Sequence, residues 1–326
     1  MKKLLFYIFV IFIATSSVAY QERLVWPSAP DQARMEFVDQ IDLNKLKVKS
    51  SLFGKIKRFI GGASESEQLS LPFDIIVNDK NIFLTCQNIP ALIQIIRKDN
   101  EFRIHTPKDN SLLYPIAICD DSNGTIFLTD SKSGIIFKFD GTNLTAFIEN
   151  NLVRPTGIAA IYEQNKIYII DTGEHSLKVF DYDGKLIKTV SQFESEENFH
   201  YPTFIEATAN NEILINDALN YEIRRFDYDG NYLSSFGKEG DAPGTFSRPK
   251  GIAVDSDGHI YIVDNMFDNI QVFDKNGRIL LVIGSRGQNP GQFWSPVGIC
   301  IKQDTLFIAD TFNNRIQILH YLGENN

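Results

Sequence analysis

The sequence predicts an all-β fold: a six-bladed β-propeller of four-stranded antiparallel blades, closed by an N-terminal strand. First, a proline that begins an apolar strand recurs at intervals of 43, 40, 47, 47 and 47 residues, at Pro72, Pro115, Pro155, Pro202, Pro249 and Pro296. Second, the intervals contain four short strand patterns joined by turn residues, which is the composition of a propeller blade. Third, the last unit lacks a fourth strand, and an additional strand pattern lies before the first proline.

Residues 248–284, RPKGIAVDSDGHIYIVDNMFDNIQVFDKNGRILLVIG, illustrate one unit. GIAVD and HIYIVD are two strand patterns around the turn DSDG. IQVFD is a third strand, and RILLVIG follows the turn KNG as a fourth. Asp-Gly and Asn-Gly are strong hairpin signals because glycine accepts the positive φ of tight turns. The unit therefore predicts one antiparallel blade.

The sixth unit, SPVGICIKQDTLFIADTFNNRIQILHYLG, contains only three strand patterns. An unpaired apolar edge would promote aggregation. The segment ARMEFVDQIDL at 33–43 is the candidate fourth strand, and we expect it to pair with 315–320. The predicted domain therefore comprises a closing strand at 34–46 and the repeats at 71–326.

The repeated pattern resembles the NHL repeat. The fifth unit contains P-x-G-I-A-V-D, I-Y-I-V-D and DNMFDNIQVF, and the sixth contains DTFNNRIQIL. The first unit departs most from the pattern, because Cys86 replaces the aspartate that ends the second strand in the other units. The resemblance implies a six-bladed fold, and similar bacterial propellers imply an exported binding or assembly scaffold associated with the cell envelope. Similar propellers that are zinc lyases or calcium lactonases imply the alternative, a metal-assisted lyase or hydrolase with its site at the central channel.

An aspartate ends the second strand of five units. An aspartate after a strand can accept hydrogen bonds from backbone N–H groups of the next loop. A catalytic carboxylate is needed once or twice in a protein, not once in every blade. We therefore predict a structural role for these five residues, together with Asn269 and Asn314. The five are Asp130, Asp171, Asp217, Asp264 and Asp310.

The sequence predicts no catalytic residues, no metal site and no cofactor, and we expect a protein that is not an enzyme. A catalytic zinc site generally needs three protein ligands. The histidines occupy unlike positions in their units, so we expect that they do not meet at one point. The innermost strands GIAV, AICD and GICI are apolar or small, which predicts a channel without stacked acids. The five histidines are His105, His175, His200, His259 and His320.

The residue before the proline differs from unit to unit, and functional residues are expected to break the repeat. These residues, Leu71, Tyr114, Arg154, Tyr201, Arg248 and Ser295, should surround one mouth of the channel. Tyr114, Arg154, Tyr201 and Arg248 would suit an anionic or polar ligand through stacking and forked hydrogen bonds. The alternative is that they are ordinary solvated loop residues.

The first residues, MKKLLFYIFVIFIATSSVAY, combine two lysines, an apolar run and the small residues of a cleavage site. This pattern predicts a secretory signal peptide at 1–19, followed by an N-terminal extension at 20–33. The alternative is an uncleaved membrane anchor, although the run is shorter than the roughly 20 residues of a spanning helix. We expect export to the periplasm or cell envelope, or to the outside of the cell.

A basic segment separates the closing strand from the first repeat. Six basic residues and no acid lie between 45 and 62, and the apolar residues from Leu52 to Ile60 form one helical stripe. The pattern predicts a basic amphipathic helix and a flexible linker at 47–70. The helix either packs on the propeller or docks on a membrane or partner protein. The docking residues would be Phe53, Lys55, Lys57, Arg58 and Phe59.

The overall charge bounds the class of partner. The chain has 32 basic and 41 acidic residues and a formal net charge of −9, which argues against nucleic acid as a main partner. The remaining candidates are an envelope protein complex and an anionic membrane surface, with the ligand unidentified. The chain's three cysteines do not form a disulfide framework, and we expect Cys119 and Cys300 to fill the core.

Overall fold

The structure, a computed structural model, describes residues 23–48, 69–99, 101–192 and 198–323. Before the first proline lie β1 (Val25–Trp26), β2 (Met35–Asp42), a 3₁₀ turn (Leu43–Lys45) and β3 (Lys47–Val48). Blade 1 contains β4 (Pro72–Val77), β5 (Asn81–Cys86), β6 (Ile89–Ile96) and β7 (Glu101–His105). Blade 2 contains β8 (Pro115–Asp120), β9 (Ile126–Asp130), β10 (Ile135–Phe139) and β11 (Leu144–Ile148).

The remaining blades follow the same plan. Blade 3 contains β12 (Pro155–Ile161), β13 (Lys166–Asp171), β14 (Ser176–Phe180) and β15 (Leu186–Val190). Blade 4 contains β16 (Pro202–Ala207), β17 (Glu212–Asp217), β18 (Glu222–Asp227) and β19 (Tyr232–Phe236). Blade 5 contains β20 (Pro249–Val254), β21 (Ile260–Asp264), β22 (Asn269–Phe273) and β23 (Ile279–Ile283). Blade 6 begins with β24 (Pro296–Lys302), β25 (Thr305–Asp310) and β26 (Arg315–Tyr321). Short 3₁₀ turns at Tyr162–Gln164 and Thr311–Asn313 connect strands within blades 3 and 6.

The strands form a closed six-bladed β-propeller, as the sequence predicts. Consecutive strands of each blade pair in antiparallel fashion, with the first strand of every unit innermost. Each innermost strand contacts the innermost strand of the next blade, and β24 contacts β4. The six innermost strands therefore surround a central channel. Among the described residues, no helix has the length and apolar character needed to cross a membrane.

The N-terminal strand closes the ring, which confirms the predicted closure. Strand β2 is the fourth strand of blade 6 and pairs antiparallel with β26, from Met35 opposite Tyr321 to Asp42 opposite Arg315. Side chains reinforce this pairing, since Arg315 donates a hydrogen bond of 2.8 Å to the side-chain oxygen of Gln40. Strand β1 pairs with β2 and adds a fifth strand at the edge.

The predicted basic segment is described only at its start. Lys47 and Val48 are extended and pair in parallel with β7, so blade 1 also has a fifth strand. The predicted helix, with Phe53, Lys55, Lys57, Arg58 and Phe59, lies outside the described residues. The predicted signal peptide at 1–19 also lies outside them.

A polar side chain next to the end of the second strand joins each blade to the next one. In each case a hydroxyl or amide group donates a hydrogen bond to a backbone carbonyl of the neighbouring innermost strand. Thr311 donates to Pro72 across the closing interface between blades 6 and 1, at 2.8 Å. The other donors, in order from blade 1, are Thr85, Thr129, Thr172, Asn216 and Asn265.

Glycine permits the close approach of neighbouring innermost strands. A Cβ atom at Gly251 would lie 2.6 Å from the carbonyl oxygen of Val297, and one at Gly157 would lie 2.6 Å from that of Thr203. Such distances are too short for a side chain. The glycine two residues after the proline therefore lets the blades pack tightly around the channel.

Candidate functional site

The prolines define one face of the propeller. Each innermost strand begins at its proline, and the second strand returns to end opposite it, as Pro249 and Asp264 do in blade 5. The loops between second and third strands therefore lie on the same side as the prolines. We call this side the proline face and the other side the opposite face.

The five aspartates that end second strands hold the backbone of the proline face in place. We call Asp130, Asp171, Asp217, Asp264 and Asp310 the capping aspartates; all are fully buried. Asp264 accepts hydrogen bonds from the backbone N–H groups of Ser247 and Arg248 before the proline, and of Met266 and Phe267 in the next loop. This confirms the predicted structural role and extends it, because the acceptor also fixes the residue before the proline.

Three capping aspartates form ion pairs with buried cations on the third strand. Lys178 lies 3.0 Å from Asp171, Arg224 lies 2.9 Å from Asp217, and Arg315 lies 2.7 Å from Asp310. Removal of one partner from such a pair leaves an uncompensated buried charge. These cations therefore belong to the scaffold.

The residues before the prolines surround the mouth of the channel on the proline face. Tyr114, Arg154 and Arg248 are exposed, and Tyr201 is half-buried. The guanidinium carbon of Arg154 lies 5.5 Å from the centre of the Tyr201 ring, a cation–π contact between blades 3 and 4. Tyr201 has a φ of +66°, a left-handed conformation that is unusual for an aromatic residue. The structure thus places all four predicted rim residues on consecutive blades.

Two histidines meet beside this rim, which the sequence interpretation did not expect. The rings of His175 and His200 are stacked with centres 6.1 Å apart, and the backbone N–H of Tyr201 donates to Nδ1 of His175 at 3.1 Å. The two residues are neighbours because the second loop of blade 3 packs against the chain that enters blade 4. The other three histidines contact separate partners, Gln94, Asp255 and Thr305. Across the described ranges, no cluster of three or more His, Cys, Asp or Glu residues is arranged to hold a metal ion.

The channel narrows just below the proline mouth. Phe73 of blade 1 and Phe204 of blade 4 stack across it with ring centres 6.2 Å apart. Lys250 occupies the same strand position as Phe73 and is half-buried. Burial, together with the nearby Arg248, lowers the pKa of Lys250 to about 8. In the described part of the chain, no carboxylate lies within ion-pair distance of this ammonium group.

On the opposite face the channel widens into a cavity of about 650 Å³. Asp74, Asp120 and Glu206, which we call the channel acids, line this cavity together with Lys302. The innermost strands are therefore not all apolar or small, which corrects the premise of the sequence interpretation. That premise rested on three of the six innermost strands, one of which, AICD, itself ends with Asp120. It also overlooked Asp74 in PFDIIV and Glu206 in PTFIEA, where most other units have glycine, alanine or cysteine.

The channel acids have fewer partners than the capping aspartates. Asp74 is 8% exposed, and its Oδ2 atom accepts one hydrogen bond of 2.9 Å from the N–H of Ile118. Burial raises the pKa of Asp74 to about 7. Burial, with smaller contributions from Asp74 and Asp120, raises the pKa of Glu206 to about 8. Near neutral pH these carboxyl groups can therefore donate as well as accept hydrogen bonds.

Cys119 and Cys300 also line the cavity, so they are only partly the core residues that the sequence predicts. Each packs against a hydrophobic cluster on one side. Burial raises the pKa of both thiols well above the usual value, and the channel acids add to this effect. A protonated thiol is a poor nucleophile. These residues therefore shape the cavity wall rather than supply a reactive group.

Comparisons with known proteins agree on the fold. A family model described as a six-bladed β-propeller matches residues 194–270 and 256–322. No functionally curated protein matches the sequence. Virginiamycin B lyase from Staphylococcus aureus is similar in structure, with 17% identity, a TM-score of 0.60, and coverage of 87% of this chain and 99% of that chain.

Two further solved structures come from Bacteroides thetaiotaomicron. An auxiliary nutrient binding protein has 16% identity, a TM-score of 0.61, and coverage of 78% of this chain and 69% of that chain. A protein of unknown function has 14% identity, a TM-score of 0.64, and coverage of 79% and 71%. At these identities the likeness shows a shared six-bladed fold.

Proposed function

We propose that this protein is an exported, non-enzymatic propeller of the NHL type that serves as a binding and assembly scaffold in the cell envelope. It contacts its partner through the proline face. The observation that carries this proposal is a difference between two sets of cations on one face. Lys178, Arg224 and Arg315 are buried against capping aspartates, whereas Arg154 and Arg248 are exposed and have no carboxylate partner among the described residues.

The rim is also held rigidly. Asp171 accepts hydrogen bonds of 2.9 Å from the backbone N–H groups of both Val153 and Arg154, and Asp264 holds Arg248 in the same way. A pre-organised surface loses little conformational entropy when it binds. The rim thus has the exposed charge, aromatic surface and rigidity that a binding site requires.

Other support is more general. The similarity to nutrient binding proteins agrees with a binding role for a propeller of this size. The lysines, apolar run and small residues at 1–19 support export, and the repeated motif of blades 5 and 6 supports the NHL type. On this face, several blades would contribute to the docking of one partner at once.

Comparative capture tests the proposal. The purified protein, an Arg154→Ala/Arg248→Ala variant and an Arg103→Ala control would each be mixed with a detergent extract of the producing cells' envelope. Arg103 is a suitable control because it is exposed on the outer strand β7 of blade 1. We expect one partner to be retained by the parent and the control and lost from the rim variant. Equal capture by all three proteins would contradict a binding role for the rim.

The alternative function is a metal-assisted lyase or hydrolase at the channel. The observation in its favour is the 650 Å³ cavity with its three channel acids. Elemental analysis of the purified protein distinguishes the two functions. About one equivalent of zinc or calcium per chain, lost in an Asp74→Asn/Glu206→Gln variant, would favour the enzyme. A metal-free protein that still retains its partner would favour the scaffold.

A further inference from the structure

The proline face carries a set of exposed apolar side chains around the cationic rim. Each of them is between 39% and 58% exposed, and they account for six of the twelve exposed large apolar side chains in the described residues. Tyr114 is one of the rim residues named above. The six are Leu113, Tyr114, Val153, Leu219, Met266 and Phe312.

Three of these side chains occupy the same position in consecutive blades. Leu219, Met266 and Phe312 each lie two residues after a capping aspartate, in the second loops of blades 4, 5 and 6. Asp264 accepts a hydrogen bond of 3.2 Å from the N–H of Met266, so the loop backbone is fixed while the side chain faces solvent. Leu113 and Val153 continue the arc on blades 2 and 3, one residue before Tyr114 and Arg154. An exposed apolar arc of this kind is typical of a protein interaction surface.

The centre of the arc is positively charged. Arg154 and Arg248 lie on the rim, and Lys250 lies just inside it, two residues after Arg248. None of the six residues that precede the prolines is acidic, although the chain as a whole carries a net charge of −9. The stacked rings of Phe73 and Phe204 narrow the channel at the level of Lys250, so a bound anionic group would remain at the mouth.

We propose that the proline face docks a protein segment in which an acidic side chain is flanked by apolar side chains. This rests on the proposed scaffold function and specifies its partner. The carboxylate lies between Arg154 and Arg248, where a guanidinium group offers two parallel hydrogen bonds. The flanking apolar side chains pack on Leu219, Met266 and Phe312. Apolar burial supplies most of the affinity, and the charge pairing sets the orientation.

A protein segment fits this surface better than the other anionic partners. A nucleic acid gains affinity from many cations that contact its phosphate backbone. The proline mouth has three cations, Arg154, Arg248 and Lys250, and the rest of the protein is acidic. The apolar arc has no use in such a complex. The chain's own segment at 45–62 carries six basic residues, so it has the same sign of charge as the rim and does not complement it.

A random peptide library displayed on phage, panned on the purified protein, tests the inference. We expect the enriched peptides to contain aspartate or glutamate with leucine, phenylalanine or similar residues on both sides. The best peptide would then be synthesised with a fluorescent label and measured by anisotropy. An Arg154→Glu/Arg248→Glu variant should bind it at least roughly tenfold more weakly, because attraction becomes repulsion. A Met266→Asp/Phe312→Asp variant should lose binding to a similar extent.

Matched controls keep the test specific to this face. Arg103→Glu reverses an exposed charge on the outer strand of blade 1, and Leu280→Asp places an acid at an exposed apolar position, 53% accessible, on the outer strand of blade 5. Both should bind the peptide like the parent. Raising the salt from about 0.15 M to about 1 M should weaken binding, because the screening length falls from about 8 Å to about 3 Å.

The outcomes separate this inference from the proposed function. Enriched peptides that are basic or uncharged, or that bind both face variants like the parent, would overturn the inference. If envelope capture nevertheless depends on Arg154 and Arg248, the scaffold function stands and the stated partner chemistry fails. Tight binding of an RNA oligonucleotide or of phosphatidylglycerol vesicles that the Arg154→Glu/Arg248→Glu variant loses would also overturn it. If acidic peptides bind the proline face while the Arg154→Ala/Arg248→Ala variant still captures the same envelope proteins as the parent, that result would support the inference and count against the scaffold function.

Discussion

The capping aspartates and the channel acids are carboxyl groups of one protein with different surroundings. Each capping aspartate is fully buried and accepts several hydrogen bonds, as Asp264 does from four backbone N–H groups. Asp74 is almost as deeply buried but accepts a single hydrogen bond from the next blade, and Glu206 faces the cavity. Burial alone therefore does not decide what a carboxyl group does.

The difference follows from the repeat. A residue that recurs in five blades has a local environment that recurs with it, and the backbone supplies its donors each time. A residue that appears in one blade, such as Glu206 at a position that is alanine in blades 3 and 5, has no repeated set of donors. Burial therefore raises the pKa of its carboxyl group, with no repeated donors to offset the effect.

The largest expected effect comes from breaking a capping ion pair. Asp310→Ala leaves Arg315, which is 6% exposed, without its carboxylate. We expect a loss of about 3–5 kcal/mol in the free energy of unfolding, measured in urea. The double variant Asp310→Ala/Arg315→Met should lose less, because no uncompensated charge remains. If the single and double variants lose the same free energy of unfolding, the unpaired charge of Arg315 is not the cause of the destabilisation.

A smaller effect is expected where the capping aspartate has only backbone donors. Asp264→Asn keeps one acceptor oxygen but removes the charge that four N–H groups share. We expect a loss of about 1–3 kcal/mol in the free energy of unfolding. Asp274→Asn, in an exposed turn of the same blade, is the control for a hydrogen-bonded aspartate at the surface. If Asp264→Asn unfolds at the same urea concentration as the parent, the capping role is wrong.

Glu206 should make the stability of the protein depend on pH. Burial raises the pKa of Glu206 from an ordinary 4.5 to about 8 in the folded protein, so the folded state holds the proton more tightly. The contribution of Glu206 to the free energy of unfolding is therefore fully present below about pH 4.5 and is lost as pH rises through about 8. The group faces a solvent-accessible cavity, so we expect a change of about 1 kcal/mol over this window.

Thermal melts of the parent and of Glu206→Gln across this pH window check the sign. The variant carries no titrating group at this site, so its melting temperature should fall less from acidic to alkaline pH. Parallel curves for Glu206→Gln and the parent would contradict the raised pKa.

The smallest effect is expected at the cavity thiols. Burial is the main cause of the raised pKa values of Cys119 and Cys300, and the channel acids contribute less. Alkylation by iodoacetamide should therefore be slow in the native protein and rapid in urea. Asp120→Asn should leave the native rate almost unchanged. A large acceleration in that variant would mean that charge, rather than burial, protects Cys119.

The sequence was informative wherever a feature repeats. The period of the prolines predicted six blades, and the missing strand of the sixth unit predicted that β2 pairs with β26. The recurrence of Asp264 and its equivalents predicted their structural role, because a recurring side chain meets a recurring backbone. The residue before each proline lies at the same end of the innermost strand in every blade, and a binding role for these residues stays a prediction.

Features that depend on contacts between different blades were missed. His175 and His200 belong to different loops of successive blades, and their spacing of 25 residues gives no sign that they stack. The donors that join the blades lie next to the last residue of each second strand. They are threonine in four blades and asparagine in two, and they precede that last residue in three blades and follow it in three. The channel acids could have been found by comparing all six innermost strands position by position, which reveals Asp74 and Glu206 as departures from the repeat.

The closure of blade 6 by β2 sets an order of events during synthesis. Gln40 and Arg315, which form a hydrogen bond in the closed ring, are 275 residues apart in sequence. At roughly 5–20 residues per second, a ribosome needs about a quarter of a minute to a minute to cover that distance. During this time β2 can pair only with the two-residue strand β1, while blades 1 to 5 can already form from contiguous segments. The apolar side chains of β2 must stay protected from aggregation until β26 emerges. The nascent chain therefore offers a chaperone its longest-lived target in β2, and the ring is complete only when β26 has been synthesised.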